Sequence, residues 1–224
     1  MSLRRYSIIL TALLACCSAS FAADLVVEDW SSHAVGMKGI PPGWERQPWS
    51  KGAYDFTVIE NKGHKVVHMK SADDSSRICK VIKDTVGLDK TPILEWKWKV
   101  ISLPNSGDAR ERKTDDKAAQ LYVTWLRYPE AFRSRVIGYI WNSVATDQVI
   151  FKSHKSATVT YIVVRSGPAD VGVWLTERRN VREDYKMIYG EEPDDPAVIT
   201  FGCDSNDTKS SAESLMGTIS FKRP

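Results

Sequence analysis

One short run decides what this chain can fold into: Pro92-Ile93-Leu94-Glu95-Trp96-Lys97-Trp98-Lys99-Val100-Ile101, closed by Leu103-Pro104. Leu94, Trp96, Trp98 and Val100 fall on one side of an extended chain; Glu95, Lys97 and Lys99 fall on the other. Side chains alternate across a strand with period two, so the run predicts a strand with one dry and one wet face. Two neighbouring indoles on the dry face need an opposing layer to cover them, and the rest of the chain must supply it.

The N-terminus reads as an export signal rather than part of the fold. Arg4 and Arg5 form a positive n-region, residues 8–17 an uncharged apolar run, and Ser20-Phe21-Ala22 a small-residue cleavage site. The run is too short for a membrane span, so a signal peptide over 1–22 is expected, with one β-sandwich domain over 23–224 and a periplasmic or secreted destination. Leu13-Leu14-Ala15-Cys16 offers the alternative of a lipid anchor at Cys16, although Leu14 suits that pattern poorly. Without Arg4 and Arg5 the formal charge drops from +3 to about +1. That balance provides no field for nucleic acid and no polybasic membrane patch. Past the signal only Cys79 and Cys203 remain; an oxidising compartment allows a bridge between them, and two separate buried thiols are the other reading.

Short β-rich runs follow one another: 24–30, 54–60, 65–70, 77–83, the tryptophan strand, 118–126, 136–141, 148–151, 158–164, 172–177, 197–203 and 215–221. Asn61-Lys62-Gly63 reads as a hairpin turn. Ile40-Pro41-Pro42-Gly43 breaks regular structure and leaves Trp44 and Trp49 on a loop or strand edge. Residues 105–117 are crowded with charge and read as a long solvated loop, a frequent place for function. One helix of about nine residues interrupts the pattern. Asn180 is its N-cap with Glu183 three residues on, Val181, Tyr185, Ile188 and Tyr189 form its apolar stripe, and Gly190 ends it. The expected fold is all-β: an antiparallel two-sheet β-sandwich or jelly roll with a short helix near 181–189.

Chemistry-bearing motifs are sparse. Asp115-Asp116 could hold a hard cation or act as acid and base, but adjacent loop residues point apart, and a solvated loop is the blander account. Asp204-Ser205-Asn206-Asp207-Thr208 is oxygen-rich but has neither the Gly nor the distal Glu of an EF-hand, so a turn built on Asx hydrogen bonds is preferred. No cofactor is expected, a structural calcium ion being the exception these residue types allow. His64 and His68 lie in a strand, which sets them about 13 Å apart, too far to share zinc. Arg178-Arg179 suit carboxylates or sugar hydroxyls, but an internal ion pair with Asp184 or Glu191 is favoured. Of the eight tryptophans, Trp96, Trp98 and Trp125 read as core; Trp44, Trp49 and Trp141 are candidates for stacking on a sugar ring, against the alternative that they too are packed inside.

With these segments in place the chain resembles an uncharacterised bacterial family of exported proteins, domain of unknown function 3047. The stretches that carry it are Pro92-x-Leu94-x-Trp96-x-Trp98-x-Val100, Leu103-Pro104, Asp115-Asp116-x-Ala118, Tyr139-x-Trp141, Val164-Arg165-Ser166-Gly167, Trp174 and Arg179-Asn180-Val181-x-x-Asp184-Tyr185. Tyr189-Gly190-Glu191-x-Pro193, Asp204 to Thr208 and Gly217-x-Ile219-x-Phe221 complete it. The chain departs from the pattern at Tyr189, where Phe is expected, and in the acidic cluster, where Asp-x-Asp-Asn-Thr is expected. The resemblance implies an exported domain similar to the sandwich folds of carbohydrate-binding modules, and implies no activity.

The expected function is a non-catalytic periplasmic binding domain, its ligand a glycan or cell-envelope component, on a face lined by Asp116, Trp141, Arg165, Arg179, Asp184 and Asp204. The alternatives are a polysaccharide-acting enzyme using two of Asp115, Asp116, Asp184, Glu191 and Asp204, and a structural envelope protein that docks a protein partner.

Overall fold

The structure is a computed structural model that describes residues 24–48 and 50–224. The expected signal segment, Cys16 and Trp49 lie outside the described residues.

In chain order the strands are β1 (Leu25–Glu28), β2 (Glu45–Arg46), β3 (Asp55–Asn61), β4 (His64–Ala72), β5 (Ser75–Val81), β6 (Ile93–Ser102) and β7 (Gln120–Trp125). A short helix α1 (Glu130–Arg133) leads to β8 (Arg135–Asn142), β9 (Ile150–Lys152), β10 (Val159–Ser166) and β11 (Leu175–Asn180). Helix α2 (Val181–Tyr189), β12 (Val198–Asp204) and β13 (Ser211–Lys222) close the chain. A six-stranded sheet runs β11-β6-β13-β4-β3 with β1 also on β13, and a seven-stranded sheet runs β2-β5-β12-β7-β8-β10-β9. All the expected strands form, and the two sheets make a β-sandwich. Two features depart from the expectation. β8 and β10 pair in parallel, with β9 antiparallel on β10 beyond them. The two-residue β2 and the four-residue α1 carry no periodic signal.

The tryptophan strand is the spine of the six-stranded sheet. Leu94, Trp96, Trp98 and Val100 are each 0% exposed. Trp96 and Trp98 meet edge to face at 5.4 Å; Trp96 packs on Tyr139 at 5.3 Å and Trp98 on Trp141 at 6.3 Å, both from the opposite sheet. At ~25 cal/mol per Å² each buried indole contributes roughly 4–6 kcal/mol of transfer free energy, which makes this contact the main reason the layers stay together.

Helix α2 covers one side of the core. Asn180 Oδ1 accepts from the Glu183 N–H at 3.2 Å, and Gly190 ends the helix at φ 73°. Val181 and Tyr185 point inward, Tyr185 lying 4.7 Å from Trp125. Residues 36–39 cover the free edge of β3 through Gly36 N–H to Val58 O at 2.8 Å and Gly39 N–H to Phe56 O at 2.9 Å, which removes an exposed sheet edge.

Cys79 and Cys203 are both free. Cys79 is registered with Thr200 and Cys203 with Ser76, so they stand three rungs apart on opposite faces of the seven-stranded sheet. A bridge is out of geometric reach.

Candidate functional site

The six residues expected to share one ligand face are divided by the fold. Trp141, Arg165, Arg179 and Asp184 lie along the side where β11 meets β8 and β10. Trp141 alternates inward on β8 with Ile137 and Tyr139; it is 1% exposed, and its indole N–H donates to Gly167 O at 3.0 Å. A ring held this way cannot stack on a sugar, so the expected role of Trp141 is corrected: it is core. Arg165 grips Glu177 through Nε at 2.8 Å and reaches Asp170 at 3.3 Å. Arg179 forks onto Asp184, with Nε to Oδ2 at 2.9 Å, and the Tyr139 hydroxyl donates to the same oxygen at 2.8 Å. The hydrogen bond to Asp184 holds the Arg179 guanidinium above its ordinary range against the opposing effect of burial. The internal clamp preferred from sequence is therefore the observed one. Arg178 turns outward, 3.6 Å from Glu95.

Asp116 and Asp204 meet elsewhere, at the end of the seven-stranded sheet beneath residues 105–117. That loop is not wholly solvated: Ala109, Asp115, Asp116 and Lys117 are 1, 4, 0 and 1% exposed. Lys117 Nζ binds Asp115 Oδ1 at 2.5 Å and lies 5.0 Å from the Tyr161 ring centroid. Burial works against the Lys117 charge, but Tyr161 and Asp115 outweigh it and hold the ammonium well above its usual range. Asp116 accepts from Thr208 N at 2.7 Å, Thr208 Oγ1 at 2.6 Å and Asp207 N at 3.0 Å. Those donors overcome the cost of burial and lower its pKa. For Asp204, burial and the neighbouring Asp116 prevail over Lys117 and Arg77, and its carboxyl is pushed up to about 7. Among the described residues no group of three or more His, Cys, Asp or Glu side chains is arranged to hold a metal ion.

Four of the five carboxylates weighed as catalytic pairs are engaged within the fold; the fifth, Asp204, has a buried Oδ1 with no hydrogen-bond partner. Asp115 is held by Lys117, Asp116 by Thr208, Asp184 by Arg179 and Tyr139, and Glu191 by Arg135 at 2.5 Å.

The accessible polar surface lies on the outer face of the six-stranded sheet, and a strand irregularity creates it. Met216 is registered with Trp98 but Ile219 with Trp96, so β13 carries one residue more than β6 over this interval. Here β13 parts from β4, whose last registered pair is Met216 with Val67, and takes β1, whose ladder begins at Glu28 with Ile219. Two hollows open on either side of Thr218. One, of about 230 Å³, is lined by Asp24, Val26, Glu95, Lys97, Ser220 and Lys222; the other, of about 420 Å³, by Asp29, Ser31, Gly63, His64 and Lys65. Trp174 lies over the bulge. Its ring edge would be 3.5 Å from a Cβ on Gly217, with Lys97 Cβ at 3.1 Å, and its indole N–H donates to Asn61 Oδ1 at 2.9 Å. A side chain at 217 would meet the ring at ordinary contact distance and press instead on Lys97.

Sequence reasoning placed Trp174 in a strand and gave it no role; it stands just before β11. Its signal was present in Gly217, since an isolated glycine inside a strand marks a bulge or a close approach, and in the wet-face lysines of the tryptophan strand.

Among solved structures, the chain is similar to the CBM22-1 xylan-binding domain of Xyn10C from Paenibacillus barcinonensis, with 12% identity, TM-score 0.40, and 84% of this chain and 90% of that one covered. It is also similar to the K2 cleaved adhesin domain of Lys-gingipain, with 13% identity, TM-score 0.41, and 90% and 99% covered. No curated protein matches the sequence. The model of the protein family of unknown function DUF3047 matches residues 42–220, and the chain belongs to that family.

Proposed function

We propose that this chain is an exported, non-catalytic binding domain for a glycan or another hydroxyl-rich cell-envelope component, taken up on the outer face of the six-stranded sheet. The observation that carries the reading is Trp174: a partly exposed indole seated on Gly217, fixed by Asn61, beside the hollows that meet at Thr218. A flat ring bordered by ammonium, carboxylate and hydroxyl groups suits a sugar, which offers an apolar face and a rim of hydroxyls. Lys97, Lys222, Asp24, Glu95 and Ser220 supply both donors and acceptors. Export rests on Arg4, Arg5, the apolar run 8–17 and Ser20-Phe21-Ala22. Engagement of Asp115, Asp116, Asp184 and Glu191 within the fold supports the non-catalytic part.

The test is to titrate purified protein against an array of envelope and plant-type oligosaccharides while following tryptophan fluorescence. Binding that Trp174→Ala removes and Trp141→Phe retains supports the assignment. No response to any glycan, or binding that survives Trp174→Ala, removes it.

The reading as an envelope protein with a protein partner has one observation of its own. Tyr128 and Phe132, at the tip between β7 and β8, are 86% and 83% exposed, a costly place for two aromatic rings. Pull-down from envelope extract that fails with Tyr128→Ser/Phe132→Ser, in protein that binds no glycan, would favour it.

A further inference from the structure

Around Trp174 the outer face of the six-stranded sheet holds two positive charges with no carboxylate set against them. Leu175 is registered with Trp98, and Gly172 N–H donates to Val100 O at 2.8 Å, so the chain between them runs alongside β6 and sets Trp174 beside Lys99. From there the ring reaches Gly217, where Lys97 is its neighbour, and its indole N–H donates to Asn61 at the hairpin between β3 and β4. Lys97 and Lys99 stand two residues apart on one face of a strand, a spacing of about 7 Å. Two ammonium groups thus border one fixed ring.

Among the described residues neither side chain makes a hydrogen bond or an ion pair, although Lys99 is half-buried. The carboxylates of the same face are engaged elsewhere. Glu95 is held by Lys222 at 2.6 Å with Arg178 at 3.6 Å, and Glu213 by His68 at 2.5 Å. Asp55 is registered opposite Lys70, and Asp24 precedes Leu25, whose partner is Phe221, which puts it beside Lys222. Asp29 accepts the Ser31 N–H at 2.9 Å. Like charges side by side repel, and a bound anion would turn that repulsion into attraction.

We propose that the glycan taken up at Trp174 is an acidic one, its ring stacked on the indole and its anionic group held by Lys97 and Lys99. The inference rests on the reading of Trp174 as a sugar platform and adds the class of sugar. The carboxylate of a uronic acid, or a phosphate ester on a hexose, puts a negative charge just outside the sugar ring, where an ammonium beside a stacked indole can reach it. A neutral sugar stacks as well but leaves both ammonium groups unpaired.

The experiment titrates the purified protein with matched pairs of oligosaccharides at low ionic strength: oligogalacturonate against its methyl ester, and phosphorylated against unmodified mannose oligosaccharides. The acidic member of at least one pair is expected to bind about three- to tenfold tighter, since each exposed ion pair contributes up to about fivefold. That preference should shrink at high salt. Which pair responds separates carboxylate from phosphate. Lys97→Gln/Lys99→Gln is expected to abolish the preference, and Lys83→Gln, beyond the end of β5 in the other sheet, to keep it. Equal binding of acidic and neutral members through Trp174 overturns the proposal and leaves the glycan reading standing. Binding of neither pair overturns it too, and the wider glycan array then decides the parent reading. A preference that survives Trp174→Ala or the double lysine variant, or that high salt leaves unchanged, also overturns it. The salt dependence is read on the unaltered protein, so it decides should the double variant fail to fold.

Discussion

Trp98 and Glu177 sit on adjacent strands and are joined diagonally, the indole N–H donating to Glu177 Oε1 at 3.1 Å. Glu177 is 8% exposed, and its counter-charge, Arg165, comes from the other sheet. One carboxylate thus links the tryptophan strand to the opposite layer. Arg165→Ala would leave that carboxylate nearly buried with only an indole donor, and the expected loss is about 2 kcal/mol, limited because Arg165 is itself 35% exposed. Glu177→Gln keeps an acceptor for the indole and leaves Arg165 with Asp170, and should lose about 1 kcal/mol. Urea unfolding of both variants gives the order, and a larger loss for Glu177→Gln would contradict this account.

Three glycines separate tolerance from intolerance: Gly202 and Gly138 in the seven-stranded sheet, and Gly36 in the segment along β3. A Cβ on Gly202 would stand 2.1 Å from the Ser76 carbonyl oxygen, which is backbone and cannot give way. On Gly138 it would meet the Tyr122 ring at 2.6 Å, and a ring can shift. On Gly36 it would meet nothing, and the residue carries only the strain of φ +88°. Alanine at these positions should give no folded protein for Gly202, a loss of about 1–3 kcal/mol for Gly138, and about 1 kcal/mol for Gly36. Thermal unfolding of the three variants checks the order.

The thiols offer a test of sheet register. Cys203 is fully buried with its pKa raised by burial, and Cys79 is partly exposed on the other face. Protein prepared from residue 23 onward is expected to show one slowly reacting thiol with a thiol reagent in the native state and two in urea. Adding a reductant should leave the melting temperature unchanged. A shift of several degrees would mean that a bridge exists and that the β5–β12 register is wrong.

How much of this was legible follows from which signals are local. Alternation at Leu94, Trp96, Trp98 and Val100 settled the dry face because burial of two indoles admits no other register. Asn180, Glu183 and Gly190 marked α2 because capping is satisfied within a few residues. The parallel pairing of β8 with β10 escaped, since partner choice is made by distant strands and leaves no period in either one. For the site, the Arg179–Asp184 clamp was readable because the two residues are neighbours across a helix start. Trp141 was misplaced because its position near a strand end says nothing of the face it takes. Lys117 was read as solvated because its burial depends on Tyr161, far along the chain.

The acid–base balance of the fold gives an unusual expectation for stability against pH. Glu28 is raised by burial, but hydrogen bonds from Trp44, Trp30 and Lys80 outweigh this and leave its pKa lowered; Asp116 is lowered by Thr208 and Asp207 in the same way. Groups with depressed pKa contribute stability above their unfolded values, and that stability is lost as pH falls through the folded ones, below about 4. Asp204 has the opposite sign. Its folded pKa is raised to about 7, so its contribution is complete below the unfolded value near 4 and is lost as pH rises toward 7. Between pH 5 and 7 the depressed carboxylates are ionised in both states and contribute no slope, so among the carboxyl groups Asp204 is the one that acts there. Unfolding free energy should therefore peak in mildly acidic solution, near pH 4–5, and decline by a few kcal/mol by pH 7 rather than sit on the usual neutral plateau. Asp204→Asn removes the declining limb, leaves the acid limb in place, and should make the protein more stable than wild type at pH 8. Urea midpoints taken at half-unit intervals from pH 3.5 to 8.5 decide the matter, and a wild-type profile still rising between pH 5 and 7 would show that Asp204 is ionised in the folded protein and unshifted.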